Sequence, residues 1–149
     1  MPVFVNKYEI SDDAVHEEMV HHPAPDLAAA RLEAARALVV KRLLLEEAAA
    51  EDMVSAKDLD DLPEEKVEVV IRQLLDSVIT TPEADEETCR RYYDQHQLRF
   101  VDKTTEKVLP YDLVRAHIVQ YLEDKAYHSA FNAYLDKLMA CAKIVGLAA

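Results

Sequence analysis

One glycine, Gly146, serves all 149 residues of this chain. Tight hairpin turns and phosphate-cradling loops rely on positive φ, which glycine supplies without a Cβ penalty. A fold built from many such turns is therefore not expected, and neither is a nucleotide loop. Helices need no such residue. Half of the residues are hydrophobic, and runs such as Ala28-Ala29-Ala30 and Ala48-Ala49-Ala50 favour close-packed helices. The expected class is all-α.

Periodicity divides the chain. Val3-Phe4-Val5 reads as a short extended stretch. Ser11 is then placed as an N-cap, with Asp12 and Asp13 complementing the helix dipole. Val15, Met19 and His22 share one face before Pro23 and Pro25 end the segment. From Asp26 to about Glu51 a long helix is predicted. Its apolar residues (Leu32, Ala35, Leu38, Val39, Leu43, Leu45) spread around the cylinder, which suits a central element covered by several neighbours. Pro63 fits the first turn of the next helix. Val67, Val70, Ile71, Leu74, Leu75 and Val78 follow at spacings of 3, 1, 3, 1 and 3, a strong helical stripe.

Thr80-Thr81-Pro82 marks a break, and Asp85-Glu86-Glu87 opens an aromatic helix carrying Cys89, Tyr92, Tyr93 and His96. Asp102 to Lys107 is polar and reads as a loop. From Pro110 a helical pattern continues to about Ile144. Tyr127, Phe131, Tyr134, Leu138, Cys141 and Val145 step by 4, 3, 4, 3 and 4 along it, a heptad-like seam, with Gly146 placed as its C-terminal cap.

The formal charge is −12. Residues 1–80 carry 8 basic and 18 acidic side chains (−10), and residues 81–149 carry 9 and 11 (−2). So acidic a surface repels phosphate backbones and anionic lipid, so neither nucleic acid nor membrane is an expected partner. The N-terminus lacks the basic and apolar regions of a signal peptide, and no apolar run reaches membrane length, so a cytoplasmic location is expected. Cys89 and Cys141 show no metal or CxxC spacing and read as reduced thiols.

Tyr92, Tyr93, Phe100, Tyr111, Tyr121, Tyr127, Phe131 and Tyr134 hold eight of the ten aromatics. Taken singly, each ring reads as core packing. As a set they exceed what so alanine-rich a core needs, and an exposed subset can hold apolar peptide segments. The candidate binding residues are Tyr92, Tyr93, Phe100, Tyr121 and Phe131. His16, His21 and His22 do not share a helical face, so no metal site is expected. Cys89 precedes two arginines that can lower a thiol pKa, yet it reads better as a buried packing group. Ser11, Ser55, Ser77 and Ser129 lie in no nucleophile context. No catalytic residue and no cofactor are assigned.

Four segments in order carry a resemblance. The first holds Val5-Asn6, Ile10, Glu18 and His22-Pro23-Ala24. The second is Ala37-Leu38-Val39-Val40-Lys41-Arg42-Leu43-Leu44-Leu45. The third runs from Thr80-Thr81-Pro82-Glu83 through Cys89-Arg90-Arg91-Tyr92-Tyr93-Asp94-Gln95-His96 to Leu98-Arg99-Phe100. The fourth runs from Leu109-Pro110-Tyr111 through Val114, Ile118, Tyr121 and Leu122 to Ala142-Lys143-Ile144. Together they resemble the two arms that flank the isomerase domain of parvulin-type peptidyl-prolyl isomerases with a SurA-like helical region, the cytoplasmic NifM-like kind in particular. A parvulin domain of about a hundred residues, with its four-stranded sheet, histidine pair and glycine-rich turns, is missing. Only Val101 to Val108 stands in its place.

The resemblance thus implies a SurA-like bundle of four to five helices without isomerase activity. It implies one domain over 1–149: an N-terminal arm (1–100), a short connector (101–109) and a C-terminal helix (110–145) packing back on the N-terminal helices. The function implied is non-catalytic chaperoning of unfolded or partly folded clients, with metalloenzyme subunits under maturation the clients that the family suggests. The alternative is a structural adaptor dedicated to one partner, a homodimer through the C-terminal helix.

Overall fold

The computed structural model describes residues 2–147. Among them run strand β1 (Val3–Val5), strand β2 (Tyr8–Ile10), and helices α1 (Asp12–Glu18), α2 (Leu27–Ala50), α3 (Glu64–Val78), α4 (Glu86–Gln95) and α5 (Tyr111–Cys141), then strand β3 (Ile144–Val145). Short 3-10 turns at Met19–His21, Ala56–Asp61 and Gln97–Phe100 join them. The chain is mostly helical, with a small sheet that an all-α reading leaves out.

Two compact units form. The first takes residues 1–78 and 134–149, the second Ile79–Ala133. In the first unit, α2 is the central element. Asp26 caps it, its Oδ1 accepting from the Ala29 N–H at 2.7 Å, which satisfies one of the orphan donors of the first turn. Buried Ala34, Ala35, Val39 and Leu43 meet Val3, Val5, Ile10 and Val15 on one side. Leu44, Leu45 and Ala48 meet Leu59, Val67, Val70 and Leu74 on another. The apolar residues spread around α2 therefore serve two neighbours, as the lack of a single stripe implies. By contrast α3 has one face, and Val67, Val70 and Leu74 bury it. Full burial of Leu74 alone contributes about 1.5–3 kcal/mol. The end of α5 returns to this unit, with Tyr134 and Leu135 packed on the α3 side and Leu138 touching both clusters.

The sheet has the order β2-β1-β3 and is antiparallel throughout. Asn6 holds φ +55 in the two-residue turn between β1 and β2, so an asparagine supplies what glycine usually would. The C-terminus corrects the sequence reading. The helix expected to reach Val145 ends at Cys141, and Ile144 and Val145 pair with Val5 and Phe4. β-Branched residues fit that pleated edge, whereas a continued helix would leave β1 unpaired on that side. Gly146, at φ +88, leads out of the strand instead of capping the helix. Ser11 caps α1 as expected, its Oγ accepting from the Ala14 N–H at 3.1 Å.

Candidate functional site

The second unit is built on α4 and the first half of α5. Asp85 caps α4 through a 2.7 Å bond from the Thr88 N–H to its Oδ1, and hydrogen bonding from the Thr88 side chain, then this backbone bond, lowers the carboxyl's pKa. Cys89 faces inward and is fully buried with Tyr111, Val114 and Ile118. Burial raises the thiol's pKa, with Glu86 adding to the rise. The two neighbouring arginines therefore do not activate it. Arg115 on α5 donates to Glu86 on α4 at 2.8 Å, lowering the Glu86 pKa and tying the helices together.

Between the helices the connector closes as a small hairpin. The Leu109 N–H donates to the Phe100 carbonyl at 2.7 Å, the Asp102 N–H to the Lys107 carbonyl at 2.8 Å, and Val101 bridges Val108. Glu106 takes φ +59 in the turn. The expected loop is thus ordered by its backbone, and it sets the register of α4 against α5.

Four of the five candidate binding residues come together on this frame. Tyr92 lies 5.3 Å from Tyr121 and 6.2 Å from Phe100 between ring centroids. Tyr93 lies 5.6 Å from Phe100 and 5.5 Å from Tyr111. These are the offset and edge-on separations that aromatic quadrupoles favour. Phe131 stands apart, about 15 Å farther along α5 at 1.5 Å per residue. It stacks on Tyr127 nearly parallel, at 6.3 Å.

The ring hydroxyls are specifically placed. Tyr93 donates to the Leu109 carbonyl at 2.6 Å. Arg99 donates to the Tyr92 oxygen at 2.9 Å. Hydrogen bonding from Arg99, then the charge of Lys125, lowers the Tyr121 pKa. Tyr92 also stacks on His96 at 4.2 Å.

Tyr92, Tyr93 and Phe100 are half-buried among one another, and Tyr121 remains 43% exposed. In the same unit Leu98 is 91% and Leu113 is 70% exposed. Neither leucine stood out from the sequence, because an isolated leucine at helical spacing reads as core. Arg99 was also missed as a partner of the rings, although its position seven residues after Tyr92 hints at the same face. Beyond Ile118, α5 buries no further residue, so Leu122, Ala126, Tyr127 and Phe131 are only partly covered.

Among the described residues no group of three or more His, Cys, Asp or Glu is placed to hold a metal ion. His22 meets Glu18 at 3.0 Å one turn away. No helix among them is long and apolar enough to cross a membrane. No family model, no curated protein and no solved structure matches this chain.

Proposed function

We propose that the chain is a non-catalytic client-binding protein that holds unfolded or partly folded polypeptides against the aromatic face of its second unit. The observation behind this reading is the exposure of Tyr121 within a pre-packed ring cluster, in a unit that also leaves Leu98 and Leu113 open to solvent. Apolar surface left open beside rigid rings is the usual mark of an interaction face. Rings of this kind offer contact area at low entropic cost. Client segments would be held by burial, at about 25 cal/mol per Å², and released as folding hides those segments elsewhere. Tyr92, Tyr93, Phe100 and Tyr121 act as one platform, and Phe131 with Tyr127 as a separate contact. Family analogy adds metalloenzyme subunits under assembly as the clients.

The test is suppression of aggregation. Near-stoichiometric protein should keep at least two unrelated denatured proteins in solution, and Tyr121→Ala combined with Leu98→Ser should abolish most of that protection with the fold intact. Protection of neither substrate, or full protection by the double variant, removes this reading.

A second reading is supported by the partly covered stretch of α5 after Ile118. A structural adaptor would use it to pair with a second copy and would serve a single partner. Sedimentation equilibrium separates the two: a stable dimer that protects no denatured protein favours the adaptor.

A further inference from the structure

The first unit carries a groove that the aromatic face does not involve. Residues Tyr8 to Ser11 form one wall of a cavity of about 210 Å³, floored by Leu38, Leu45, Leu59, Leu62 and Val67. The volume lies below the roughly 300 Å³ at which sites for whole small molecules begin. It suits one large apolar side chain. Arg42 lines it as well, its guanidinium 3.8 Å over the Tyr8 ring and held by Asp60 at 2.7 Å and Glu46 at 3.1 Å.

The wall is an edge strand. β2 has β1 on one side only, with Val5 opposite Tyr8, Phe4 opposite Glu9 and Val3 opposite Ile10. Across a two-residue turn the flanking pair, Val5 and Tyr8, is the hydrogen-bonded one. Alternation then makes Phe4–Glu9 the non-bonded pair, consistent with Phe4 pairing with Val145 on its other side. The Glu9 N–H and C=O accordingly point away from β1 at the open edge.

Charge selects among extended segments. The cations on the rim are already compensated: Lys41 meets Glu64 at 2.9 Å, and Arg42 meets two carboxylates. Glu9 adds a further carboxylate to the rim, and the Ala56–Asp61 turn carries Asp58 and Asp61 beside Asp60. The groove therefore presents net negative potential to whatever enters it.

We propose that this groove binds an extended basic peptide segment, which adds a strand to β2 through Glu9 and drops one apolar side chain into the cavity. Backbone pairing supplies affinity, and the cavity and acidic rim supply selectivity. This site is independent of the aromatic face of the second unit.

The test uses the full chain and a fluorescein-labelled peptide of alternating lysine and leucine, followed by fluorescence anisotropy. Saturable binding is expected. It should weaken about tenfold when alternate amides of the peptide are N-methylated, a change that removes strand donors and leaves charge unaltered. Glu9→Pro, which deletes the outward donor on the protein side, should weaken it similarly, while Tyr121→Ala leaves it unchanged. The N-methylated peptide keeps the test decisive should Glu9→Pro fail to fold. No saturable binding, equal affinity for the methylated and unmethylated peptides, or equal affinity for an aspartate–leucine peptide each overturns the proposal. So does binding that Tyr121→Ala abolishes, which would assign the peptide to the aromatic face.

Discussion

Asn6 and Lys143, 137 positions apart, hold each other by two hydrogen bonds: the Asn6 N–H donates to the Lys143 carbonyl at 2.6 Å, and the Lys143 N–H donates to Asn6 Oδ1 at 3.0 Å. The pair brings β3 to β1 and does so at a residue already in the left-handed region. Asn6 also donates to Glu46 on α2 at 2.7 Å. One side chain therefore joins the turn, the C-terminal strand and the central helix.

Asn6→Ala should destabilise the fold by about 1–3 kcal/mol, combining lost hydrogen bonds with a strained backbone. Asn6→Gly keeps the positive φ at no steric cost and loses only the side-chain bonds, so it should cost less. Urea denaturation measures both, as a fall in midpoint at constant slope. Equal losses in the two variants would show that backbone strain contributes nothing.

Gly146 is the one position where the chain uses glycine's freedom. At φ +88, a Cβ added there would stand 2.7 Å from the Pro2 carbonyl oxygen, and that oxygen belongs to the backbone. Gly146→Ala should therefore lower stability by about 1–3 kcal/mol. The thermal midpoint reads the change, and a variant melting with the parent would contradict the close approach.

Cys89 is fully buried and Cys141 is exposed. A thiol reagent should label one cysteine quickly in the native protein and the second only on unfolding. Burial raises the Cys89 pKa, so the folded state keeps its proton at pH values where the unfolded thiol, near about 8.5, has lost it. This contribution to stability is complete below that value and is lost as pH rises through the folded pKa. Cys89→Ala should flatten the alkaline fall in stability. Fast labelling of both thiols in buffer would contradict the packing of α4.

Arg99 beside Tyr121 lowers the phenol's pKa. Titration followed at the tyrosinate absorbance should show one phenol ionising below the usual range near pH 10. Arg99→Met should return that phenol toward the ordinary range without altering helix content. A titration curve unchanged by the substitution would remove Arg99 from the ring cluster.

How much of this was legible in the sequence differs by element. The Ser11 cap and the helix starts at Asp26 and Asp85 were legible, because a short polar side chain ahead of an acidic or apolar run is a local signal, and the structure makes caps of all three. The α3 stripe was equally plain, since one buried face writes itself into the spacing. The end of α5 was not. Ile144 and Val145 satisfy a heptad pattern and a strand pattern alike, and only pairing with a β1 partner far away in sequence decides between them. Clustering of Tyr92, Tyr93, Phe100 and Tyr121 depends likewise on the hairpin hydrogen bonds that set α4 against α5.

Local spacing alone set where the helices begin, which face α3 buries and that β-structure stays minor, because these follow from contacts within a few residues. Long-range packing decided that β1 and β3 share a sheet, that Tyr92, Tyr93 and Phe100 gather with Tyr121, and that Leu98 and Leu113 stay outside. Those outcomes rest on pairings between distant residues, whose geometry no local spacing encodes.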